Sequence, residues 1–398
     1  MKQVDIAIIG GGLVGASLAL ALQQHASKQH WSVALIEPHA PGSSYQPSYD
    51  VRASAITHGS ARIYQQLGIW SQVSVKAQPI LDIHVSDRGH FGASRISASH
   101  EQVPALGYVV ENAWLGQCLW QALNQPCIEW NTPAKVEQIK PASCGYQLQL
   151  DNGKNLQARL CVLADGGRSS LREQLGINTT SRSYQQTAII STVSTQLPHN
   201  GTAFERFTDL GPMALLPLPE NRSVLIWTRP PDIAEQLMQL DDAGFLARLQ
   251  ECFGYRLGNF VKVGSRHPYP LALCQTDEQV RSHLVVLGNA AHSLHPVAGQ
   301  GYNLSLRDAI SLARHLINSK QPPGDLSVLQ AYQRSQQQDQ DLIIGFSDRS
   351  TRLFSNDRPL LSIGRNLGLL GLDLCPPAKS VFARYAMGLG ASSSAVEE

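Results

Sequence analysis

The stretch from Val4 to Glu37 admits few folds. Val4 to Ile9 is a nearly continuous β-branched run, as expected of a strand buried on both faces. It feeds directly into Gly10-Gly11-Gly12-Leu13-Val14-Gly15, then into the helix formers Ala16 to Gln23, and a second apolar strand follows at Val33 to Glu37. Strand, glycine turn, helix and strand make one βαβ unit. In the spacing G-x-G-x-x-G each glycine has a reason: Gly10 permits the tight turn, Gly12 lets backbone approach a diphosphate, and Gly15 lets the helix pack on the strand. The backbone N–H groups of the helix start, Leu13 included, then face the anion at the positive end of the helix dipole. Glu37 lies about 20 residues further on, where a ribose hydroxyl is held in such units.

Further along, Tyr146, Leu148 and Leu150 alternate with glutamines, Asp151-Asn152-Gly153 supplies a turn, and Leu156, Ala158 and Leu160 resume the alternation, which predicts a β-hairpin. Tyr184 to Arg229 is rich in Thr, Ser, Val, Ile and Phe and is broken by Pro198, Gly201, Gly211 and Pro217, so several antiparallel strands are expected there. Leu284 to Leu287 reads as another short buried strand. Past Pro296, Leu306, Ala309, Ile310, Ala313, Leu316 and Ile317 share one helical face. The fold class expected is α/β: a discontinuous Rossmann-like domain, an inserted, mostly antiparallel β-sheet substrate domain, and a helical C-terminal region. The segments read as 1–80, 111–180 and 276–325 for the first, 81–110 and 181–275 for the second, and 326–398 for the third.

With 32 Lys plus Arg against 31 Asp plus Glu, the net charge of +1 offers no basic surface for nucleic acid. Seven scattered cysteines without a C-x-x-C pair indicate reduced thiols, and neither a disulfide framework nor a zinc site. Lys2 followed by the apolar stretch Ile6 to Leu22 imitates a signal peptide, but Asp5 and the glycines between Gly10 and Gly15 argue against one. The expected location is the cytoplasm, with peripheral contact at the inner membrane through the apolar run Leu360 to Leu374; buried core is the plainer account of that run.

Two more motifs carry chemistry. Ala164-Asp165-Gly166-Gly167-Arg168-Ser169-Ser170 follows the strand ending at Leu163, and Gly288-Asn289-Ala290-Ala291-His292-Ser293-Leu294-His295-Pro296 continues through Gly299-Gln300-Gly301-Tyr302-Asn303 into a helix. In this order and spacing the three motifs resemble those of the FAD-dependent aromatic hydroxylases with the p-hydroxybenzoate hydroxylase fold. Within that group, Ile83 to His90, Phe204-Glu205-Arg206-Phe207-Thr208, Tyr269 to Leu273 and Gly288 to Ala291 look like the 2-polyprenyl-6-methoxyphenol hydroxylases of ubiquinone biosynthesis.

The resemblance implies that Gly10, Gly12, Leu13 and Gly15 hold the FAD diphosphate, Glu37 the adenosine ribose, and Arg52 and Gln117 further parts of the cofactor. Asp165 would sense both FAD and the nicotinamide cofactor. Asn289, Pro296, Gly299, Gly301, Tyr302 and Asn303 would surround the flavin, with N–H groups at the pyrimidine edge. It also implies reduction by NADPH or NADH, reaction with O2 through a C4a-hydroperoxyflavin, hydroxylation of a polyprenylated phenol to the 1,4-benzoquinol level, and assembly with other ubiquinone-biosynthesis proteins. The cofactor carries the hard step, while the protein positions the ring and excludes water. His292, His295, Tyr302 and Asp87 are candidates for a proton relay, with His295 and Tyr302 foremost; a histidine in such a loop also serves as a structural hydrogen-bond partner.

Asn289 departs from the Asp of the wider family, keeping an acceptor and losing the charge. Ser305 stands where many relatives have Gly. Phe204, Phe207, Met213, Leu215, Leu216 and Trp227 could line a channel for the polyprenyl tail or form ordinary sheet core. Three alternatives stay open: a hydroxylase of the same pathway acting at another ring position, a flavin reductase, and a non-catalytic scaffold subunit.

Overall fold

The computed structural model describes residues 1–39, 53–89, 92–167, 169–296 and 299–354, together with 368, 371 and 373–389. An eight-stranded sheet forms the cofactor-type layer: β1 (Lys2–Ile9), β2 (Val33–Ile36), β8 (Ile128–Asn131), β9 (Val136–Ala142), β10 (Gly145–Leu150), β11 (Asn155–Leu163), β18 (Val280–Arg281) and β19 (Leu284–Val286). Its order is β18-β19-β11-β1-β2-β8, with β10 pairing β11 and β9. The strands from β19 to β8 in this order run parallel, so the chain ends of β1, β2, β11 and β19 emerge on one edge. Ile6 and Ile8 point into one core and Ala7 and Ile9 into the other, which explains why the run shows no polar alternation.

Helices α1 (Leu13–Gln29), α4 (Asn112–Ala122) and α8 (Gln300–Asn318) cover the first of these faces. Helix α9 (Leu326–Phe354) packs outside α8. The β9–β10 hairpin and the short α5 (Leu171–Gln174) close the second face. The expected hairpin is present, with Tyr146 opposite Ala158 and Leu148 opposite Leu156.

The second sheet has nine strands: β5 (Asp82–Asp87), β6 (Ala93–Ser97), β12 (Thr179–Thr195), β13 (Thr202–Phe207), β14 (Met213–Leu218), β15 (Arg222–Arg229), β16 (Phe260–Val263), β17 (His267–Thr276) and β20 (His292–Ser293). The order is β20-β17-β12-β15-β14-β13-β5-β6, with β16 beside β12. It is antiparallel except at β13 and β5, which pair in parallel. Helices α6 (Pro231–Gln239) and α7 (Asp242–Phe253) cover one face.

There Phe204, Met213, Leu215 and Trp227 pack on Phe245, Leu249 and Phe253, so these four are sheet core rather than channel wall. Leu216 points to the opposite face, among Ala203, Ile190 and Ile226. Burial of each such large apolar side chain contributes about 1.5–3 kcal/mol.

A small sheet lies between the two large ones: β3 (Ala53–Thr57), β4 (Gln78–Ile80) and β7 (Gly107–Glu111), with α2 (His58–Gln66) and α3 (Trp70–Val73) following in the chain. Its Ala53, Ala55 and Val109 meet the Leu216 face of the second sheet. The last described helix, α10 (Pro376–Ala386), packs Ala383 against Ile96 and Leu106. Among the described residues no helix is long and apolar enough to cross a membrane. Most of the run Leu360 to Leu374 lies outside the described residues.

Candidate active site

Four motif residues gather where the parallel strands end. Gly10 follows β1, Glu37 follows β2, Asp165 stands two residues after β11 and Gly288 two after β19. In open parallel sheets this edge is where ligands bind. Gly10 has φ +110, and a Cβ there would stand 2.4 Å from the Ala164 carbonyl oxygen. A Cβ on Gly15 would stand 2.0 Å from the carbonyl oxygen of Gly10. No side chain caps α1, whose N-cap is Gly12. The unpaired N–H groups of that first turn are therefore available to an anion.

The Glu37 carboxylate is buried and accepts the Gly11 N–H at 2.7 Å, with its other oxygen accepting the His39 N–H at 3.1 Å. From α4, the Trp120 indole donates to the Gly11 carbonyl at 2.8 Å. Gln117, one turn earlier on α4, is exposed on the same side of the helix as Trp120. Arg52 lies outside the described residues.

The Asp-Gly loop is held by its own side chains. Asp165 accepts the Gly167 N–H at 2.9 Å and the Ser169 hydroxyl. Arg172 then ties this loop to the next one, donating to the Ala290 carbonyl at 2.7 Å and to the Gly167 carbonyl at 3.1 Å. Asn289 is exposed beside them. A lone Arg two residues into a short helix carries no distinctive signal in the sequence, so this role of Arg172 is legible only in the structure.

At the start of α8, Gly299 adopts φ 60 as N-cap with no side-chain cap, and no acidic residue stands in the first turn. Pro296 accepts the Gly299 N–H at 3.0 Å. Gly301 is partly exposed, and its carbonyl accepts the Ser305 hydroxyl at 3.0 Å, so Ser305 turns inward onto its own helix. Asn303 is 0% exposed. Its Oδ1 accepts the Thr57 N–H at 2.8 Å and the Ser60 hydroxyl at 2.7 Å, and its Nδ2 donates to the carbonyls of Ala55 at 2.9 Å and Gly299 at 2.7 Å. The side chain is thus spent on binding β3 and α2 to α8, and only its backbone remains for a ligand.

Tyr302 pairs its hydroxyl with that of Tyr64, which also lies 3.3 Å from the Ser17 hydroxyl. This chain links the second turn of α1 with the first turn of α8. Burial pushes the Tyr64 phenol up to about 12, so it keeps its proton at neutral pH.

His292 and His295 separate. His292 is wholly buried and pairs its Nε2 with Asp308 at 2.8 Å, a partnership within the core that the sequence did not suggest. His295 lies edge-on to Tyr184 with ring centroids 5.1 Å apart, and burial lowers its imidazole to about 4. It is therefore neutral at physiological pH, which suits the structural role considered for it. Asp87 sits at the far end of β5, buried opposite Phe207 and not in the glycine-loop cluster.

A cleft of about 780 Å³ lies elsewhere, between α2, α8 and α9, lined by Arg62, Arg307, Arg314 and His315. It shares no residue with the glycine loop, the Asp165 loop or the Gly299–Asn303 turn. All seven cysteines are free thiols, and no cluster able to hold a metal occurs among the described residues.

The cradle suits a dinucleotide with a diphosphate. Two glycines leave no room for a Cβ, an uncapped helix start offers N–H donors, and a buried carboxylate closes the adjoining strand. Comparison with known proteins agrees. A family model described as an FAD binding domain matches residues 3–344. The chain is 38% identical over 391 residues to the ubiquinone hydroxylase UbiL of Rhodospirillum rubrum, covering 97% of this chain and 90% of that one. To the 3-demethoxyubiquinol 3-hydroxylase of Escherichia coli it is 33% identical over 396 residues, covering 98% and 99%. Among solved structures, p-nitrophenol 4-monooxygenase PnpA from Pseudomonas putida superposes with a TM-score of 0.78 at 18% identity, covering 98% of this chain and 100% of that one. That likeness establishes the shared fold. The chain belongs to the FAD-binding-domain family of flavin-dependent aromatic monooxygenases, in the group that contains the ubiquinone hydroxylases.

Proposed function

We propose that this protein hydroxylates the aromatic ring of a polyprenylated phenol in ubiquinone biosynthesis, taking a 2-polyprenyl-6-methoxyphenol to the 1,4-benzoquinol level with NADPH or NADH and O2. The observation that carries the reading is the joining of two uncapped helix starts, α1 and α8, at the edge of the parallel sheet, with a β-rich layer set against them.

In this reading Gly10, Gly12, Leu13 and Gly15 hold the FAD diphosphate, Glu37 fixes the ribose side, Gln117 and Arg52 flank the cofactor, Asp165 senses both FAD and the nicotinamide cofactor, and Asn289 meets the ribityl chain. Pro296, Gly299, Gly301, Tyr302 and Asn303 border the ring. Bound FAD supplies the activation of O2 and the transfer of one oxygen atom. The protein's own part is to orient, to exclude water and to place charge. The positive end of α8 stabilises negative charge at its N-terminus. The Tyr302–Tyr64–Ser17 chain keeps both helix starts in register and holds a phenolic proton next to Tyr302. Peripheral membrane contact and assembly with other pathway proteins would bring a water-insoluble substrate to this site.

A second reading, hydroxylation at another ring position, draws support from the Escherichia coli relative, whose name specifies a 3-hydroxylase. The test uses the purified protein. A flavin spectrum, followed by NAD(P)H oxidation stimulated by 2-methoxy-6-prenylphenol and a product heavier by one oxygen, is the expected result, and NMR of the product assigns the position. A protein that cannot be loaded with FAD would remove the enzymatic reading and favour the scaffold.

A further inference from the structure

Strand β13 carries a carboxyl group that no described residue pairs. Residues directly opposed on neighbouring strands share a sheet face. Across the second sheet, Glu205 is opposed by Ala214 on β14 and Val85 on β5; Ala214 is opposed in turn by Ile226, and Ile226 by Ile190. This row lies on the face away from α6 and α7, together with Ala203 and Leu216. The facing wall is β3, where Ala53 and Ala55 pack into the same apolar cluster. A Cβ on Gly299 would stand 3.2 Å from that of Ala55, so the wall opposite Glu205 abuts the start of α8.

Glu205 itself is partly uncovered and has no hydrogen bond or ion pair among the described residues. Burial pushes its carboxyl up to about 8. By register the Glu205 row shares the sheet face on which β3 packs, and Ala55 of β3 in turn meets the start of α8, so the carboxyl belongs to the wall turned toward that helix start. A carboxyl in apolar surroundings with no partner among the described residues costs stability, and such costs are retained mainly at functional positions.

We propose that Glu205 is the polar anchor of the substrate chamber, hydrogen-bonding the ring oxygen of the phenol and turning the ring toward the α8 side. The inference rests on the hydroxylase reading above and adds a substrate-contacting residue to it. At neutral pH the carboxyl holds its proton for most of the time, so it can donate to one ring oxygen and accept from another. A glutamine offers the same pair of functions at nearly the same size, whereas a leucine offers neither.

The experiment is equilibrium dialysis of the FAD-loaded protein with 2-methoxy-6-prenylphenol and with its O-methyl ether. The expected result is that E205L weakens phenol binding about tenfold and loses the preference for phenol over ether, while E205Q stays within about threefold of wild type. E205L should also melt at or above the wild-type temperature, because it removes a desolvated polar group. Unchanged phenol affinity and unchanged preference in E205L would overturn the anchor, as would an E205Q as weak as E205L.

Should E205L fail to fold, infrared difference spectra decide. Phenol should shift a protonated-carboxyl C=O band in the wild type that E205Q lacks, and the absence of that band refutes the proposal. Phenol binding with Glu205-dependent preference but no hydroxylation would instead strike the proposed function and leave the anchor in place. Hydroxylation by both wild type and E205L with equal affinity would strike only the anchor.

Discussion

Replacing Asn303 by Asp changes one atom and reverses two hydrogen bonds. In the native protein Nδ2 donates to the carbonyls of Ala55 and Gly299 at 2.9 and 2.7 Å, with Oδ1 serving Thr57 and Ser60 on the other side. In N303D the atom facing the two carbonyls is an oxygen, at a position with 0% exposure. Either the carboxylate stays ionised against two acceptors, or it takes up a proton and satisfies one of them. Four hydrogen bonds at ~1 kcal/mol each set the scale of total loss in N303L at ~4 kcal/mol. For a chain of this size, with ~2 cal/mol/K of unfolding entropy per residue, that corresponds to a fall of ~5 °C in Tm.

N303D should match or exceed N303L at pH 8 and recover part of the loss at pH 5. The sign follows from linkage: burial against acceptors raises the folded-state pKa of the new carboxyl, so its stability is present at low pH and is lost as pH rises through that value. Differential scanning calorimetry at the two pH values, with FAD content read from the visible spectrum, is the assay. If N303D melts within about one degree of wild type at both, the side chain does not hold β3 to α8 and the argument fails.

Three further expectations follow from the same geometry. Gly15→Ala must move the Gly10 turn, since its Cβ would stand 2.0 Å from a carbonyl oxygen; the purified variant should retain little FAD and melt several degrees lower, and full FAD occupancy would contradict the close approach. Asp308→Ala strands the buried Nε2 of His292 and should cost about 1–3 kcal/mol in a denaturant titration, with Asp308→Asn losing less because it keeps an acceptor. His295 has a folded-state value of about 4 against 6.5 for the free side chain, so the unfolded chain binds the extra proton between them; stability is full above pH 6.5 and declines toward pH 4. The ceiling of that decline is about 3 kcal/mol, and His295→Gln should flatten this part of the stability profile.

Local rules carried the reading as far as they reach. The βαβ start, the Tyr146–Leu160 hairpin and the apolar face of α8 are written in periods of two or about four residues, and each stands where expected. Pairings between distant segments were not legible. Thr202 opposes Asp82, and Thr57 meets Asn303, through registers that no local pattern encodes. The set proposed for a tail channel shows the same limit. Phe204 and Leu215 face α7 while Leu216 faces β3, a division that emerges only once the strand register is known. Glu205 stands in the Phe204–Thr208 motif, but which face of β13 it occupies follows only from the strand register.

The parallel contact between β13 and β5 has a consequence for biosynthesis on the ribosome. The β5–β6 hairpin is made early, yet its partner strand is synthesised only after the whole of β7 to β12 has emerged. The parallel layer waits longer still, for β19. The two layers are complete only when β19 and β20, ending at residues 286 and 293 of 398, have been translated, which leaves the apolar edge of an unfinished sheet exposed for many seconds at ordinary elongation rates. Yield from rapid overexpression should therefore depend on holdase chaperones and on slowed translation more strongly than the stability of the finished protein would suggest.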